Sequence, residues 1–328
     1  MQVYSQHSRD ADKGIAVNHA TPQIDNYCHE IKAACAGIGT DEDRLSHVLG
    51  ARNVAERYLI SLRYPELHKK SLVDELTSET SGHYRKLLLL LAQSLEEAEA
   101  TIVRDATKGA GTNEDLLYPI FGGRTVEELA ILKKAFFKKY QNDLVVVVAD
   151  DIGGDLKKHY LAVLNAMTQP YNPSIHTPAK AEEVAELLYK AGEGKWGTDE
   201  SAFCNTLMSI PPEFLRAVDA AYVAKHKNNI HRAIEKEFGG HTERAMLYHV
   251  NMILDPINTI VDQFERTMHG IGTDDYGLSA TLIRYQSLLP QVAPAYKAKY
   301  GKSLRDRIHD ETSGDYRKLM MIIIENSI

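Results

Sequence analysis

Hydrophobic positions along the chain follow the period of an α-helix. Near the start, apolar residues recur every three or four positions and so fall on one helix face: Ile24, Tyr27, Ile31 and Ala34. The spacing continues after a glycine-containing turn in Leu45, Val48 and Leu49. Only the run from Val145 to Val148 resembles a strand in composition. Because no candidate strand lies nearby to pair with it, we predict helix there too, and an all-α fold.

A short glycine-containing string occurs four times along the chain. Its copies are G-I-G-T-D-E-D from Gly37, G-A-G-T-N-E-D from Gly109, K-W-G-T-D-E-S from Lys195 and G-I-G-T-D-D-Y from Gly270. A second string, E-T-S-G-x-Y-R-K-L, begins at Glu79 and returns at Glu311. Self-similarity at this period predicts four repeats, each with room for about five helices.

The spacing between copies sets the predicted borders. The interval between the second and third copies is the longest and contains the most proline-rich stretch, 167–178. We therefore predict an N-terminal head over residues 1–20, repeats over 21–95, 96–168, 180–255 and 256–328, and a linker over 169–179. The head has no obvious amphipathic helix.

Each loop is followed by a carboxylate at a matched distance. The step is 42 residues in the first three repeats (37 to 79, for example) and one shorter in the fourth, which deletion of one loop residue explains. The acids reached are Glu79, Asp151, Glu237 and Glu311. A glycine turn can direct backbone carbonyls to one point, and Ca²⁺ prefers such oxygens together with a carboxylate. We therefore predict a Ca²⁺ site in each repeat, and interpret the threonine after each loop as a helix N-cap.

The residue at each loop tip is apolar. These residues are Ile38, Ala110, Trp196 and Ile271. An apolar turn tip favours an apolar or interfacial neighbour, so we predict that the tips contact the interfacial region of a membrane. For Trp196, the only tryptophan in the chain, the alternative is a core aromatic.

Charge determines how such a contact could form. The formal net charge is −7, so simple attraction to nucleic acid or to anionic lipid is not expected, and a cation must mediate any contact with an anionic surface. Three cysteines do not suggest a disulfide framework, and no apolar run approaches membrane-spanning length. The first residues do not resemble a signal peptide. We expect a cytoplasmic protein that becomes peripheral on membranes when Ca²⁺ rises.

At these residues the sequence resembles the annexin family, over about residues 20–328. The resemblance rests on the G-x-G-T-[D/N]-[E/D] loop, the later acid in E-T-S-G, the K-W-G-T variant and the linker. It implies a right-handed superhelix of five helices per repeat, a curved disc in two halves with Ca²⁺ sites on its convex face, and reversible binding to anionic phospholipid membranes.

The resemblance also implies a ligand set for each loop. By position these are Cys35, Gly37, Gly39 and Glu79; Thr107, Gly109, Gly111 and Asp151; Gly192, Lys195, Gly197 and Glu237; and Met268, Gly270, Gly272 and Glu311. The second repeat departs from the family pattern, because D-I-G-G stands where an acid followed by T-S-G is usual.

Other functions remain open. The chain has no HExxH, GxSxG or P-loop motif, so we expect no enzyme, and nothing locates a peroxidase-like site. A scaffold for the cytoskeleton or other proteins, with partly degenerate Ca²⁺ loops, is the main alternative. An ion-conducting path lined by Arg124 and Arg284 is another, although both arginines also suit structural ion pairs.

Overall fold

The computed structural model describes residues 2–37, 39–109 and 111–328. Every regular element in these residues is helical, which confirms the all-α prediction, and the run from Val145 to Val148 lies within a helix. No helix in the described part of the chain is both long and apolar enough to cross a membrane.

Within the residues that the structure describes, five α-helices form each repeat, as predicted. The first repeat contains α2 (Pro22–Ala34), α3 (Glu42–Gly50), α4 (Val54–His68), α5 (Leu72–Glu79) and α6 (Gly82–Leu91). The second contains α7 (Leu95–Ala106), α8 (Glu114–Phe121), α9 (Val126–Tyr140), α10 (Leu144–Asp151) and α11 (Gly154–Leu164). The third contains α12 (Pro178–Ala191), α13 (Glu200–Ser209), α14 (Pro212–His226), α15 (Ile230–Glu237) and α16 (Gly240–Leu254). The fourth contains α17 (Pro256–Met268), α18 (Asp275–Tyr285), a 3₁₀ turn (Gln286–Leu288), α19 (Leu289–Tyr300), α20 (Leu304–Glu311) and α21 (Gly314–Glu325).

The head forms a short helix that the sequence analysis did not predict. This helix, α1 (Gln6–Asp12), is capped by Ser5, whose hydroxyl accepts from the amide of Ser8. Tyr4 and Ser8 are buried, and their hydroxyls donate to Glu99 at 2.5 Å and Glu96 at 3.0 Å. The helix escapes periodicity analysis because it is too short to carry a hydrophobic stripe.

The helices group into two compact units. One contains Val103–Pro256, and the other contains Val3–Ile102 together with Ile257–Ile328. The first unit therefore holds most of the second and third repeats, with the linker inside it, and the other holds most of the first and fourth.

Both units use the same exchange of helices between their two repeats. In the unit built from the first and fourth repeats, the second helix of each repeat packs on the fifth helix of the other: α3 on α21 and α18 on α6. In the other unit α8 packs on α16 and α13 on α11 in the same way. Gly50 on α3 marks how close the helices approach, because a Cβ there would lie 2.9 Å from Leu319 Cδ1.

Matching polar contacts support the equivalence of the first and fourth repeats. The hydroxyls of Ser46 and Tyr84 are 2.9 Å apart and buried, and those of Ser279 and Tyr316 repeat this contact at the same distance. The one-residue difference in the fourth repeat arises after Ser279, where α18 runs through the 3₁₀ turn directly into α19. In the first repeat α3 and α4 are separated by residues 51–53 instead. The fourth loop itself is therefore not shortened.

Two buried histidines lie together in the unit that contains Val103–Pro256. The rings of His159 and His249 are 6.4 Å apart, and Nδ1 of His249 accepts a hydrogen bond from the amide of Gly123 at 3.2 Å. Burial lowers the pKa of His159 to about 3 and that of His249 to about 4. Both imidazoles are therefore neutral in the folded protein at neutral pH.

We expect these histidines to make the protein labile to acid. The unfolded chain takes up their protons below about pH 6.5, whereas the folded chain does not until about pH 4, so stability is full above pH 6.5 and falls as the pH decreases. Each histidine should lower the free energy of unfolding by about 2 kcal/mol between pH 8 and pH 5. His249→Gln, which keeps an acceptor for Gly123, should reduce the loss by that amount in urea titrations at the two pH values. His269→Gln, at an exposed site, is the control. An unchanged loss in His249→Gln would contradict the assignment.

Candidate calcium-binding loops

Each candidate loop connects the first and second helices of its repeat and is closed by one backbone hydrogen bond. In the first repeat the amide of Asp41 donates to the carbonyl of Ala34 at 2.9 Å. The equivalent bonds are Asn113 to Ala106 at 2.9 Å, Asp199 to Ala191 at 2.7 Å and Asp274 to Thr267 at 2.8 Å. Three of the loops thus have the same length, and the third, closed between residues 191 and 199, is one residue longer.

The glycines of the first loop are required by backbone conformation. Gly37 and Gly39 have φ values of 106° and 87°, in the region that side chains disfavour. Nothing lies within 4 Å of a Cβ built at either position, so crowding is not the reason for glycine. The second and fourth loops repeat this pair of conformations at Gly109, Gly111, Gly270 and Gly272.

The third loop follows a different backbone path. Gly197 keeps a positive φ of 78°, but Lys195 occupies the position of the first glycine and does not share that conformation. The extra residue is accommodated in a wider turn, in which the amide of Gly194 donates to the carbonyl of Tyr189, five residues earlier, at 2.8 Å. The lysine variant and the longer loop are therefore parts of one local change.

A threonine hydroxyl joins each loop to the predicted acid. Thr40 donates to the backbone carbonyl of Glu79 at 2.9 Å. In the other repeats the hydroxyl reaches the carboxylate itself: Thr112 to Asp151 at 2.5 Å, Thr273 to Glu311 at 2.8 Å, and Thr198 to Glu237. The structure thus places every predicted acid beside its loop, although the two are about 40 residues apart in the sequence.

The N-cap interpretation of these threonines was wrong. The cap of the second helix is the following residue, Asp41, Asn113, Asp199 or Asp274. Asp41, Asp199 and Asp274 accept from the amide three residues later, which is the usual capping bond. An aspartate or asparagine immediately before the helix was the available signal. Because this residue caps the helix, the threonine hydroxyl is free to donate to the acid.

The surroundings of the acids support the grouping of loop and carboxylate. All four acids are half-buried. Burial, helped by the nearby Glu75 and Glu79 charges, raises the pKa of the Cys35 thiol to about 11, which places Glu79 close to a predicted ligand residue. At the third site a Cβ on Gly192 would lie 3.1 Å from Cγ of Glu237.

Two loop tips can be assessed in the structure. The side chains of Trp196 and Ile271 are fully exposed, so Trp196 is not a core aromatic. The predicted contacts at Ile38 and Ala110 lie outside the described residues.

The donor chemistry at the loops fits a hard divalent cation. Each loop offers backbone carbonyls and one carboxylate, all oxygen donors of the kind that Ca²⁺ takes. Across residues 2–37, 39–109 and 111–328, no group of three or more His, Cys, Asp or Glu side chains is arranged to hold a metal ion. Any cation site in the loops therefore depends on main-chain oxygens.

The two arginines considered for an ion path are each buried beside a carboxylate. Arg124 Nη1 lies 3.4 Å from Glu128, and both side chains are buried. Arg284 is paired with Glu99, also buried. Each pair lies within a single compact unit. These contacts are those of structural ion pairs.

Comparison with known proteins agrees with this architecture. The Annexin family model matches residues 27–91, 98–163, 183–248 and 261–323. Annexin A13 of Mus musculus is 33% identical over 308 residues, which cover 94% of this chain and 96% of the relative. Annexin A7 of Dictyostelium discoideum is 33% identical over 296 residues, and the match covers 90% of this chain but only 63% of that protein.

Solved structures give the same result. Annexin III superposes with a TM-score of 0.85 at 30% identity, over 93% of this chain and 95% of that one. A calcium-bound annexin (Sm)1 superposes with a TM-score of 0.79 at 26% identity, over 92% and 90%. Annexins are known for Ca²⁺-dependent phospholipid binding and are generally binding proteins without enzymatic activity. The four matched repeats, together with the match to Annexin A13 over 94% of this chain and 96% of that relative, show that the chain belongs to the annexin family.

Proposed function

We propose that this protein binds anionic phospholipid membranes reversibly, through Ca²⁺ held in its four interhelical loops. The observation that carries the proposal is the threonine hydrogen bond that sets an acidic residue against a loop in every repeat. A loop whose only task was to connect two helices would need no acid from the end of the fourth helix. The calcium-bound annexin (Sm)1 among the structural relatives adds support.

The residues proposed to hold the ion are a set of loop carbonyls with one carboxylate. They are Cys35, Gly37 and Gly39 with Glu79; Thr107, Gly109 and Gly111 with Asp151; Gly192, Lys195 and Gly197 with Glu237; and Met268, Gly270 and Gly272 with Glu311. Three neutral carbonyls and one carboxylate carry little charge, so each site should be weak on its own. Bound Ca²⁺ would supply a positive charge with coordination positions that lipid phosphate or carboxylate oxygens can complete.

A bridging cation would overcome the electrostatic repulsion between an acidic protein and an acidic membrane surface. With a net charge of −7 the chain would be repelled from anionic lipid without a bridging cation. Because binding free energies are coupled reciprocally, lipid should raise the affinity for Ca²⁺ by the same factor as Ca²⁺ raises the affinity for lipid. Loops that engage the same vesicle add avidity.

The exposed apolar tips fit the same role. Trp196 and Ile271 each project from a loop without cover. An exposed tryptophan beside Lys195 suits the boundary between headgroups and acyl chains, where aromatic and cationic side chains are both stable. We therefore propose peripheral attachment at the depth of the headgroups, in the cytoplasm and when Ca²⁺ is raised.

Vesicle sedimentation tests the proposal directly. The protein should pellet with phosphatidylserine vesicles in Ca²⁺ and return to the supernatant when chelator is added. Phosphatidylcholine vesicles and Mg²⁺ in place of Ca²⁺ are the controls, since Mg²⁺ retains its water and fits such a site poorly. Failure to pellet at millimolar Ca²⁺ would contradict the proposal and leave a protein scaffold as the better reading.

The third loop carries its own fluorescent reporter. Trp196 emission should shift to the blue when Ca²⁺ and anionic vesicles are both present, because the exposed indole leaves water. Glu237→Gln should raise the Ca²⁺ concentration at the midpoint of this shift by about tenfold, the effect of losing one charged ligand. Glu182→Gln, an exposed change on α12 of the same repeat, should leave the midpoint unchanged.

Glu79→Gln, in the first repeat, distinguishes an effect on the third loop alone from an effect on total vesicle binding. Glu79→Gln should weaken total vesicle binding while shifting the Trp196 midpoint much less than Glu237→Gln does. Equal midpoints in Glu237→Gln and the parent protein would remove Glu237 from the ligand set.

A further inference from the structure

The fourth loop differs from the other three in that a cation of the protein already occupies its acid. Arg307 lies on α20, one helical turn before Glu311, and its guanidinium forms an ion pair with the Glu311 carboxylate. The same guanidinium donates through Nη2 to the carbonyl of Met268 at 2.5 Å. Glu311 and Met268 are both proposed ligands of the fourth site, so one positively charged group contacts two of its four proposed ligand residues.

A second carboxylate holds the guanidinium from the other side. Nε and Nη2 of Arg307 lie 3.4 Å from the two carboxylate oxygens of Glu265 on α17. Glu265 is fixed in turn by the hydroxyl of Tyr296. The side chains of Arg307, Glu311 and Glu265 are 21%, 25% and 19% exposed, so water screens these interactions only in part.

The other repeats have no equivalent cation. The residue one turn before the acid is Glu75, Val147 or Ala233 in the first three repeats. Glu75 is itself an acid, paired with Lys32 at 2.9 Å. Within the described part of the chain, neither Glu79, Asp151 nor Glu237 forms an ion pair. Arg307 is thus a feature of the fourth repeat alone, and the repeat pattern gives no structural reason for it.

We propose that Arg307 competes with Ca²⁺ for the fourth loop and sets the affinity of that site. The inference rests on the proposed function. Both oxygens of the Glu311 carboxylate are already engaged, Oε1 by the Arg307 guanidinium and Oε2 by the Thr273 hydroxyl. A Ca²⁺ ion bound to Glu311 and to the Met268 carbonyl would lie beside the guanidinium, and the two positive charges would repel each other. Glu265 offers the displaced guanidinium a second partner, so Arg307 can release Glu311 without becoming an unpaired charge. Arginine keeps its charge at all physiological pH values, so the competition is independent of pH.

A reporter placed at the fourth loop makes the inference testable. Ile271 is fully exposed at the loop tip, so Ile271→Trp in a Trp196→Phe background gives a single tryptophan beside this site alone. Terbium luminescence sensitised by that tryptophan, followed by competition with Ca²⁺ in the absence of lipid, then reports the affinity of the fourth loop. Arg307→Ala in this background should bind Ca²⁺ about tenfold more tightly, the value of one charge-assisted hydrogen bond.

The matched control lies on the same helix. Arg305→Ala removes a guanidinium that pairs with Glu325, away from the loop, and should leave the affinity unchanged. Arg307→Lys keeps the charge but not the forked geometry and should give an intermediate affinity. Thermal unfolding supplies a second readout. Arg307→Ala should be less stable than the parent in chelator, and saturating Ca²⁺ should raise its melting temperature by more than it raises that of the parent.

The outcomes separate this inference from the proposed function. Saturable binding with equal affinity in Arg307→Ala and the parent would overturn the role of Arg307 and leave the fourth site standing. Weaker binding in Arg307→Ala would also overturn it, because Arg307 would then support the site. No saturable terbium signal in either protein would overturn both the inference and the proposed fourth site.

Discussion

The candidate sites depend on a single contact between two parts of each repeat that are about 40 residues apart. The threonine lies just before the second helix, and the acid ends the fourth helix, at Glu79, Asp151, Glu237 or Glu311. Their hydrogen bond forms only when the helices between them have packed. In the second, third and fourth repeats the acceptor is the carboxylate, and a charge-assisted hydrogen bond of this kind contributes about 1.5–3 kcal/mol. Loop conformation, acid position and helix packing are therefore coupled, and an ion that binds the loop must also stabilise the repeat.

Under the proposed function, this coupling would allow a protein with a net charge of −7 to meet an anionic surface. A permanently basic patch would bind anionic lipid at all times. A loop of neutral carbonyls with one carboxylate has almost no attraction for lipid until a divalent cation is present. Keeping each proposed site low in charge would make the attachment reversible, since neither the ion nor the lipid would be held strongly alone. The exposed side chains of Trp196 and Ile271 can then add apolar contact only after the charge has been bridged.

Most of the fold could be predicted from the sequence because the same sequence pattern recurs in each of the four repeats. The fourfold recurrence of glycine, threonine and acid identified the repeats and the four acids. An error in aligning one repeat would have been visible by comparison with the other three. Contacts that occur once are different. The helix of the head depends on contacts with Glu99 and Glu96, and the position of the Arg307 side chain depends on Glu265 and Met268. No local sequence pattern predicts these tertiary contacts. The threonines were misread because a capping residue and its neighbour satisfy the same local rule.

The four loops are equivalent in chain topology and unequal in chemistry. The first has two glycines and a glutamate, and among the residues that the structure describes no cation pairs with that glutamate, although its threonine donates to the backbone carbonyl of Glu79 rather than to the carboxylate. The second has the shorter aspartate, and the third exchanges a glycine for Lys195 and lengthens the turn. In the fourth, Arg307 already occupies the acid. Identical sites would fill together over one narrow range of Ca²⁺, whereas sites that differ in this way fill in sequence. These differences in ligands and in competing charge would grade the response. The first loop keeps both glycines and a glutamate that pairs with no described cation, and so it should respond at the lowest Ca²⁺ concentration.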